Sequence, residues 1–404
     1  MNSQLVEQSE KLAIEGGMPI RSTLLPYARQ FLSEEDIEEV NKVLRSDWLT
    51  TGPKVEEFEK AFASFVGAKE AVAVNSGTAA LHSSMFALGI VEGDEVIVPT
   101  MTFAATANAV VFQKGTPVFC DCDPQTLLID PVKVEEKITD KTKAIVAVDY
   151  AGQPCEYDEL REIADRHKIT LVSDACHALG ANYKGRAVGT LADLNTFSFH
   201  PVKPIATGEG GMITCESYES AEKMRRLRNH CLTSDHRERQ EKGAWHYGME
   251  DLGYNYRLSD IHCALGLSQL KKVNDWTNRR REIAKKYNQT FAQMDSVTPL
   301  GLRDDVTHAY HLYVIQLELD KLSVDRGEIF KALRAENIGV NVHYIPVHMQ
   351  EFYKREFGTG EGLCPIAEQS YERILSLPMF ASMKDEDVED VIEGIEKVIN
   401  YYSK

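Results

Sequence analysis

Short apolar runs alternate along this chain with longer stretches in which apolar side chains recur at helical spacing. Residues 71–74, 95–98, 117–120, 144–148 and 170–173 are compact apolar runs and predict buried strands, with a further β-rich run at 194–199. Between them, 78–88, 105–112 and 156–167 have the pattern of amphipathic helices. Ser33-Glu34-Glu35-Asp36 resembles a capping box and predicts a helix over 35–44. After the turn-rich Trp48-Leu49-Thr50-Thr51-Gly52-Pro53, the residues Val55, Phe58, Phe62 and Phe65 mark the core face of a second helix. Apolar strands separated by amphipathic helices predict an α/β fold with a mostly parallel sheet covered on both faces.

The pattern changes after about residue 215. Helices are expected to dominate 217–293. A mixed set follows, with 311–317 and 341–345 extended and 325–335 and 385–402 helical. This divides the chain into a large domain, 1–275, and a smaller C-terminal α+β domain, 276–404, linked by a long helix near 275–295.

Composition alters that picture little. The 404 residues are 43% hydrophobic and 26% charged, an ordinary globular balance with ample length for a large core. A net charge of -17 argues against a nucleic-acid partner, because phosphate neutralisation dominates such binding. An anionic small substrate would need a local basic pocket. Residues 1–8 lack a basic segment followed by an apolar run, and no apolar stretch is long enough to span a bilayer, so neither a leader nor a membrane partner is expected. The 8 cysteines include no C-x-x-C pair and the 12 histidines no H-E-x-x-H helix. No metal site is expected, and buried reduced thiols fit a cytoplasmic protein.

The candidate chemistry gathers where strands end, which is where ligands collect in an open α/β sheet. Asn75-Ser76-Gly77-Thr78 follows one strand and opens a helix. Gly77 permits close backbone approach and the first-turn amides favour a phosphate, though the same residues also serve as a plain cap. Thr102-Phe103-Ala104-Ala105 follows the next strand, and Phe103 either stacks on a planar ring or joins the core. Ser173-Asp174-Ala175-Cys176-His177 closes a third. Asp174 either holds a pyridinium proton or caps a helix, and His177 meets the same ligand if the segment turns. In Ser198-Phe199-His200-Pro201-Val202-Lys203-Pro204, two prolines put Lys203 on a stiff, non-helical connector. An amine held that way suits Schiff-base chemistry, with an ordinary loop lysine as the alternative. Ser198 and His200 are placed to reach a phosphate or the amine. Together the four motifs suit pyridoxal 5′-phosphate (PLP), a pyridine ring bearing an aldehyde and a phosphate.

These residues resemble those of the DegT/DnrJ/StrS family of sugar aminotransferases, which have the PLP fold-type I architecture of aspartate aminotransferase. The likeness runs from about residue 12 to the C-terminus. It rests on 48–53, 75–78, 174–177, 198–203, Gly253-Tyr254-Asn255-Tyr256-Arg257 and Val342-His343-Tyr344-Ile345-Pro346. The resemblance implies that Lys203 forms the Schiff base and acts as general base, that Asp174 pairs with the ring nitrogen and that His177 contacts the 3-oxygen. It implies that Phe103 stacks on the ring, that Gly77, Thr78 and Ser198 hold the phosphate, and that Asn255 reaches the phosphate of the neighbouring protomer's cofactor in a homodimer with shared active sites. Many members carry glutamine where this chain has His177, which leaves its charge state beside the ring open.

Residues 200–205 and 264–272 are most similar to the branch that works in the pseudaminic-acid pathway. That implies a nucleotide-sugar substrate, a UDP-linked 4-keto-6-deoxy-N-acetyl-hexosamine aminated at C4, with L-glutamate as donor. Residues 13–21 resemble branches that make antibiotic sugars and aminocyclitols, so another keto sugar stays open. Members that act as sugar dehydratases carry histidine in place of the lysine, which Lys203 argues against. Retention of both Lys203 and Asp174 argues against a non-catalytic regulator. Candidates for gripping the nucleotide-sugar diphosphate are Arg29, Arg225, Arg226, Arg228 and Arg257, with His308, His311, His343 and Tyr344 as further substrate contacts.

Overall fold

The computed structural model describes residues 11–234, 239 and 243–404; the reading of residues 1–8 and part of the helical reading of 217–293 lie outside them. Ser33 caps the helix Glu34–Leu44, its Oγ accepting from the Asp36 amide while Asp36 accepts from the Ser33 amide. Pro53 opens the helix Pro53–Val66, and Gly67, at φ 83°, ends it.

Seven strands form one sheet, in the order Glu70–Val74, Gly211–Cys215, Leu194–Ser198, Thr170–Asp174, Thr142–Val148, Glu95–Pro99, Thr116–Cys120. The last five run parallel to one another, as the apolar runs predict. Gly211–Cys215 is antiparallel to both its neighbours and was not expected, because Gly210-Gly211 reads as a turn. The glycine belongs to the strand for a steric reason. A Cβ on Gly211 would lie 2.4 Å from the Ser76 carbonyl oxygen, so only glycine lets this strand pass the start of the helix Gly77–Ala87.

Helices Tyr218–Leu227, Asp260–Leu270 and Val273–Phe291 hold the ends of the stretch expected to be helical. Residues 228–234 and 243–259 instead form an irregular double arm, bridged at Asn229–Asn255 and Leu232–Met249. Gly253 explains why the arms cross so closely, since a Cβ there would meet the Cys231 amide at 2.3 Å. A second apolar cluster surrounds the three-stranded sheet Val297–Pro299, Tyr313–Leu317, Ile374–Leu377 and the helices Arg326–Ala335 and Asp385–Tyr402. Leu12 and Leu25 join this cluster. The expected strand over 341–345 is a single bridge from Asn341 to Ser376. Beyond it the chain leaves the sheet, and the Val347 amide bonds to the Thr100 carbonyl at 3.0 Å. That departure carries His343 and Tyr344 to the ends of the large sheet's strands.

Candidate active site

The ends of the parallel strands face a cavity of about 390 Å³. Lys203 enters it from a tight turn in which its amide donates to the His200 carbonyl at 2.8 Å. The turn is closed behind by Thr207 and Gly210, each bonded to the Phe199 backbone. Burial lowers the proton affinity of the Lys203 amine below its ordinary value, while Cys176 and Asp174 pull the other way.

Asp174 ends the strand Thr170–Asp174 and is almost fully buried. Its Oδ2 accepts from Thr106 Oγ1 at 2.7 Å, and Thr106 is in turn 2.8 Å from Thr102 Oγ1. Its Oδ1 accepts from the Cys176 amide at 3.3 Å. The segment does turn after Asp174, and His177 faces the same cavity. Tyr344 Oη and His177 Nε2 are 3.1 Å apart, whereas Nδ1 is buried with no partner. Burial, with Lys203 and His343 adding to it, holds the His177 imidazole well below its ordinary pKa and therefore neutral.

The helix Gly77–Ala87 starts at the cavity wall with Ser76 as its cap. A Cβ on Gly77 would lie 2.8 Å from Ser198 Cβ and 3.1 Å from its Oγ, so strand end and helix start touch only because residue 77 is glycine. Thr78, Ser198, His200, Phe103, His343 and Tyr344 also line the cavity. Phe103 is 61% exposed, so it is not a core residue in this chain. His343 is set by Ser376 Oγ at 2.8 Å, its carbonyl accepts from Tyr150 Oη, and burial lowers its pKa to about 4.

Other expected residues are not brought to this cavity. Arg29 is exposed and does not line it. Arg228 and Arg257 line a separate cavity of about 400 Å³. There Arg228 is tied to the Glu59 carboxylate and the Ala73 carbonyl, and Arg257 donates to Asn229 Oδ1 at 2.7 Å. Arg225 pairs with Glu70 and Glu222, and Arg226 with Glu250. Asn255 is exposed, and its carbonyl accepts from Asn75 Nδ2 at 3.2 Å, beside the helix start. Tyr27, Thr106 and Glu209 line the site without having been singled out. The pairing of hydroxyls at Thr102 and Thr106, one helical turn apart, was the available signal for the second of these.

PLP requires donors for a phosphate, a carboxylate for the ring nitrogen and an amine for the aldehyde. The cavity holds a capped helix start beside Ser198, a carboxylate anchored by Thr106, a lysine with lowered proton affinity and a buried imidazole nitrogen without a partner. The residues present fit the group.

The profile of the DegT/DnrJ/EryC1/StrS aminotransferase family matches residues 30–396. The spore coat polysaccharide biosynthesis protein SpsC of Bacillus subtilis is 45% identical over 381 residues, covering 94% of this chain and 98% of its own. Spr1654 of Streptococcus pneumoniae, described as a candidate sugar aminotransferase and solved in its PMP form, superposes with a TM-score of 0.88 at 33% identity over 93% of this chain and 99% of its own. PseC of Helicobacter pylori, an aminotransferase involved in the biosynthesis of pseudoaminic acid, gives 0.87 at 33% identity over 94% of this chain and 100% of its own.

Proposed function

We propose that this chain, which belongs to the DegT/DnrJ/EryC1/StrS aminotransferase family and uses PLP as cofactor, moves an amino group from L-glutamate to the C4 keto group of a nucleotide-linked sugar. The acceptor we propose is a UDP-linked 4-keto-6-deoxy-N-acetyl-hexosamine. The observation that carries the reading is the convergence of Lys203, Asp174 and His177 on one buried cavity at the strand ends. SpsC, a polysaccharide protein, and PseC, a pseudoaminic acid protein, support a sugar as acceptor.

When bound, PLP supplies an electron sink for breaking the donor's α-C–H bond. The chain's residues do the rest. Lys203 Nζ, freed of its proton more readily by burial, would accept the proton at the donor's α-carbon and give it up again when the half-reaction is complete. Thr106 keeps the Asp174 carboxylate in one orientation, which holds a proton at the ring nitrogen. Neutral His177, oriented by Tyr344, would donate to the ring oxygen of the bound group without adding a second charge beside Lys203. The helix start at Gly77 and Thr78, with Ser198, takes the phosphate. Asn255 serves the partner's cofactor in a homodimer. The exposed apolar residues Trp245, Met249 and Leu252 on the same arm support such an interface. No helix among the described residues is long and apolar enough to cross a membrane, and we place the reaction in the cytoplasm.

The test is to incubate the PLP-loaded enzyme with L-glutamate and the UDP-4-keto sugar. Equal amounts of 2-oxoglutarate and an amino sugar, identified by mass, are expected. Lys203→Ala removes the near-visible absorption of lysine-bound PLP and the tag left there by borohydride. Absence of 2-oxoglutarate refutes the donor, and a variant that keeps the absorption refutes the lysine.

A further inference from the structure

A donor amino acid brings a carboxylate into a cavity that no arginine lines among the described residues. Asp174 and Glu209 in its wall repel that charge, and a carboxylate taken out of water needs hydrogen-bond donors. Lys203 is reserved for the proton of the reacting carbon, and His177 and Tyr344 bond each other. His343 is held by Ser376. Of the two lining imidazoles left over, His200 is exposed to solvent and His311 is buried. The latter is 2% exposed, its Nδ1 has no partner, and its ring stands 4.3 Å from that of His177. Leaving a buried polar group without a partner is costly, and a ligand that bonds to it recovers that cost.

The fold holds this residue in place by unusual means. Ala309 and Leu312 donate to the carbonyls of Gly152 and Ala151 at 2.9 and 3.1 Å. Gly152, at φ 104°, sits so close that a Cβ would meet the His177 carbonyl oxygen at 2.8 Å and the His311 amide at 3.1 Å. Arg280, 3% exposed, donates from Nη1 to the carbonyls of Tyr310, His311 and Met379 at 3.0, 3.4 and 2.9 Å. It has no acidic partner among the described residues. Next to it, Arg281 bonds the carbonyls of His308 and Gly180, both at 2.9 Å. Burying a guanidinium without a carboxylate is costly, and here three backbone carbonyls offset part of that cost. The result of the arrangement is that the backbone at 310–311 is fixed and His311 is pressed against His177 at the cavity wall.

We propose that His311 contacts substrate directly, donating a hydrogen bond to the carboxylate of the amino-acid donor. This rests on the reading of the site as an aminotransferase that takes L-glutamate. Burial, reinforced by Lys203, His177, Arg280 and His343, keeps His311 neutral. It therefore offers an N–H without placing a fixed cation beside the lysine that must exchange a proton.

The test uses the PLP-loaded enzyme as wild type, His311→Leu and His311→Gln. Glutarate, a dicarboxylate without an amino group, is titrated, and its binding is read from the cofactor absorption. The half-reactions with L-glutamate and with keto sugar are followed separately in single turnovers. His311→Leu is expected to weaken glutarate binding by about 10- to 100-fold, the size of one charge-assisted hydrogen bond, and to raise the glutamate requirement in parallel. Bound PLP and the keto-sugar half-reaction stay near wild type, and His311→Gln, which keeps a donor, recovers most of the loss. Unchanged glutarate binding, a loss confined to the keto-sugar half-reaction, or an equal loss of bound PLP overturns the proposal. Wild-type enzyme that binds glutarate through His311 yet makes no 2-oxoglutarate would sink the donor reading alone.

Discussion

Asp149 offers a measurement whose size follows from its surroundings. It is fully buried just past the strand Thr142–Val148, and its amide donates to the Asp174 carbonyl at 3.1 Å. Its Oδ1 accepts from the Cys155 amide at 3.0 Å and Tyr157 Oη at 2.8 Å, and Ser173 Oγ lies 3.4 Å from Oδ2. Burial pushes the carboxyl from 3.8 up to about 7, against the bonds from Cys155 and Tyr157 and with help from the charge of Asp174. In the unfolded chain the same group ionises near its ordinary value. The native state therefore holds a proton that the unfolded state has released, and stability falls as pH rises from 3.8 to about 7. At about 1.4 kcal/mol per pH unit the full deficit is about 4 kcal/mol, reached above neutrality. Asp149→Asn carries no charge at any pH, and its amide oxygen can still accept from Cys155 and Tyr157. Its advantage over wild type should grow by about 2 kcal/mol between about pH 5.5 and about pH 8.5. Urea unfolding of the two PLP-loaded proteins, followed by tryptophan fluorescence at both pH values, measures that difference, and contributions from all other groups cancel. Parallel pH curves, or an advantage that shrinks toward alkaline pH, would refute the reasoning.

Two further substitutions probe the cavity itself. Gly77→Ala forces a methyl to within 2.8 Å of Ser198 Cβ, so PLP affinity measured by equilibrium dialysis should fall. A drop of about 10-fold, with about 1–3 kcal/mol lost in stability, is expected from overpacking of this kind, and unchanged affinity would remove the phosphate role of the helix start. Thr106→Val deletes the 2.7 Å bond to Asp174 while keeping the side-chain shape. A bond to a charged group is worth about 1.5–3 kcal/mol, so kcat/KM should drop about 10- to 100-fold with PLP still bound. Full activity would mean that the carboxylate needs no such anchor.

Much of the large sheet was legible in the sequence because its strands are buried on both faces and read as continuous apolar runs. The observed Glu70–Val74, Glu95–Pro99, Thr116–Cys120 and Thr170–Asp174 start or end only a residue away from those runs. Gly211–Cys215 escaped because its defining contact, the Ser76 carbonyl, comes from a distant part of the chain. Lys203, Asp174 and Gly77 could be found because each sits in a local strand-to-turn motif whose chemistry is written in its neighbours. His311 is only one of several candidate histidines in the sequence, because no local motif marks it out. What makes it a lining residue is the cage built by Gly152 and Arg280. The arginines at 225–228 looked available for an anion, and their engagement could not be read. Arg228 meets Glu59 across 169 positions of sequence.

The charges around Lys203 follow one logic. Among the described residues Lys203 is the single lysine or arginine in the cavity lining, while the four arginines at 225, 226, 228 and 257 face a second cavity, three of them against glutamates and Arg257 against an asparagine. A guanidinium stays protonated in any setting, so one beside Lys203 would hold a permanent positive charge against the amine and add nothing that can switch. His177, His311 and His343 are each driven neutral, by burial first and then by Lys203 itself. They supply directed N–H donors with no standing charge, so the charge in the cavity changes mainly with the proton on Lys203. An entering carboxylate then meets donors already oriented, and the attraction it adds is felt by the one group whose protonation the reaction must change.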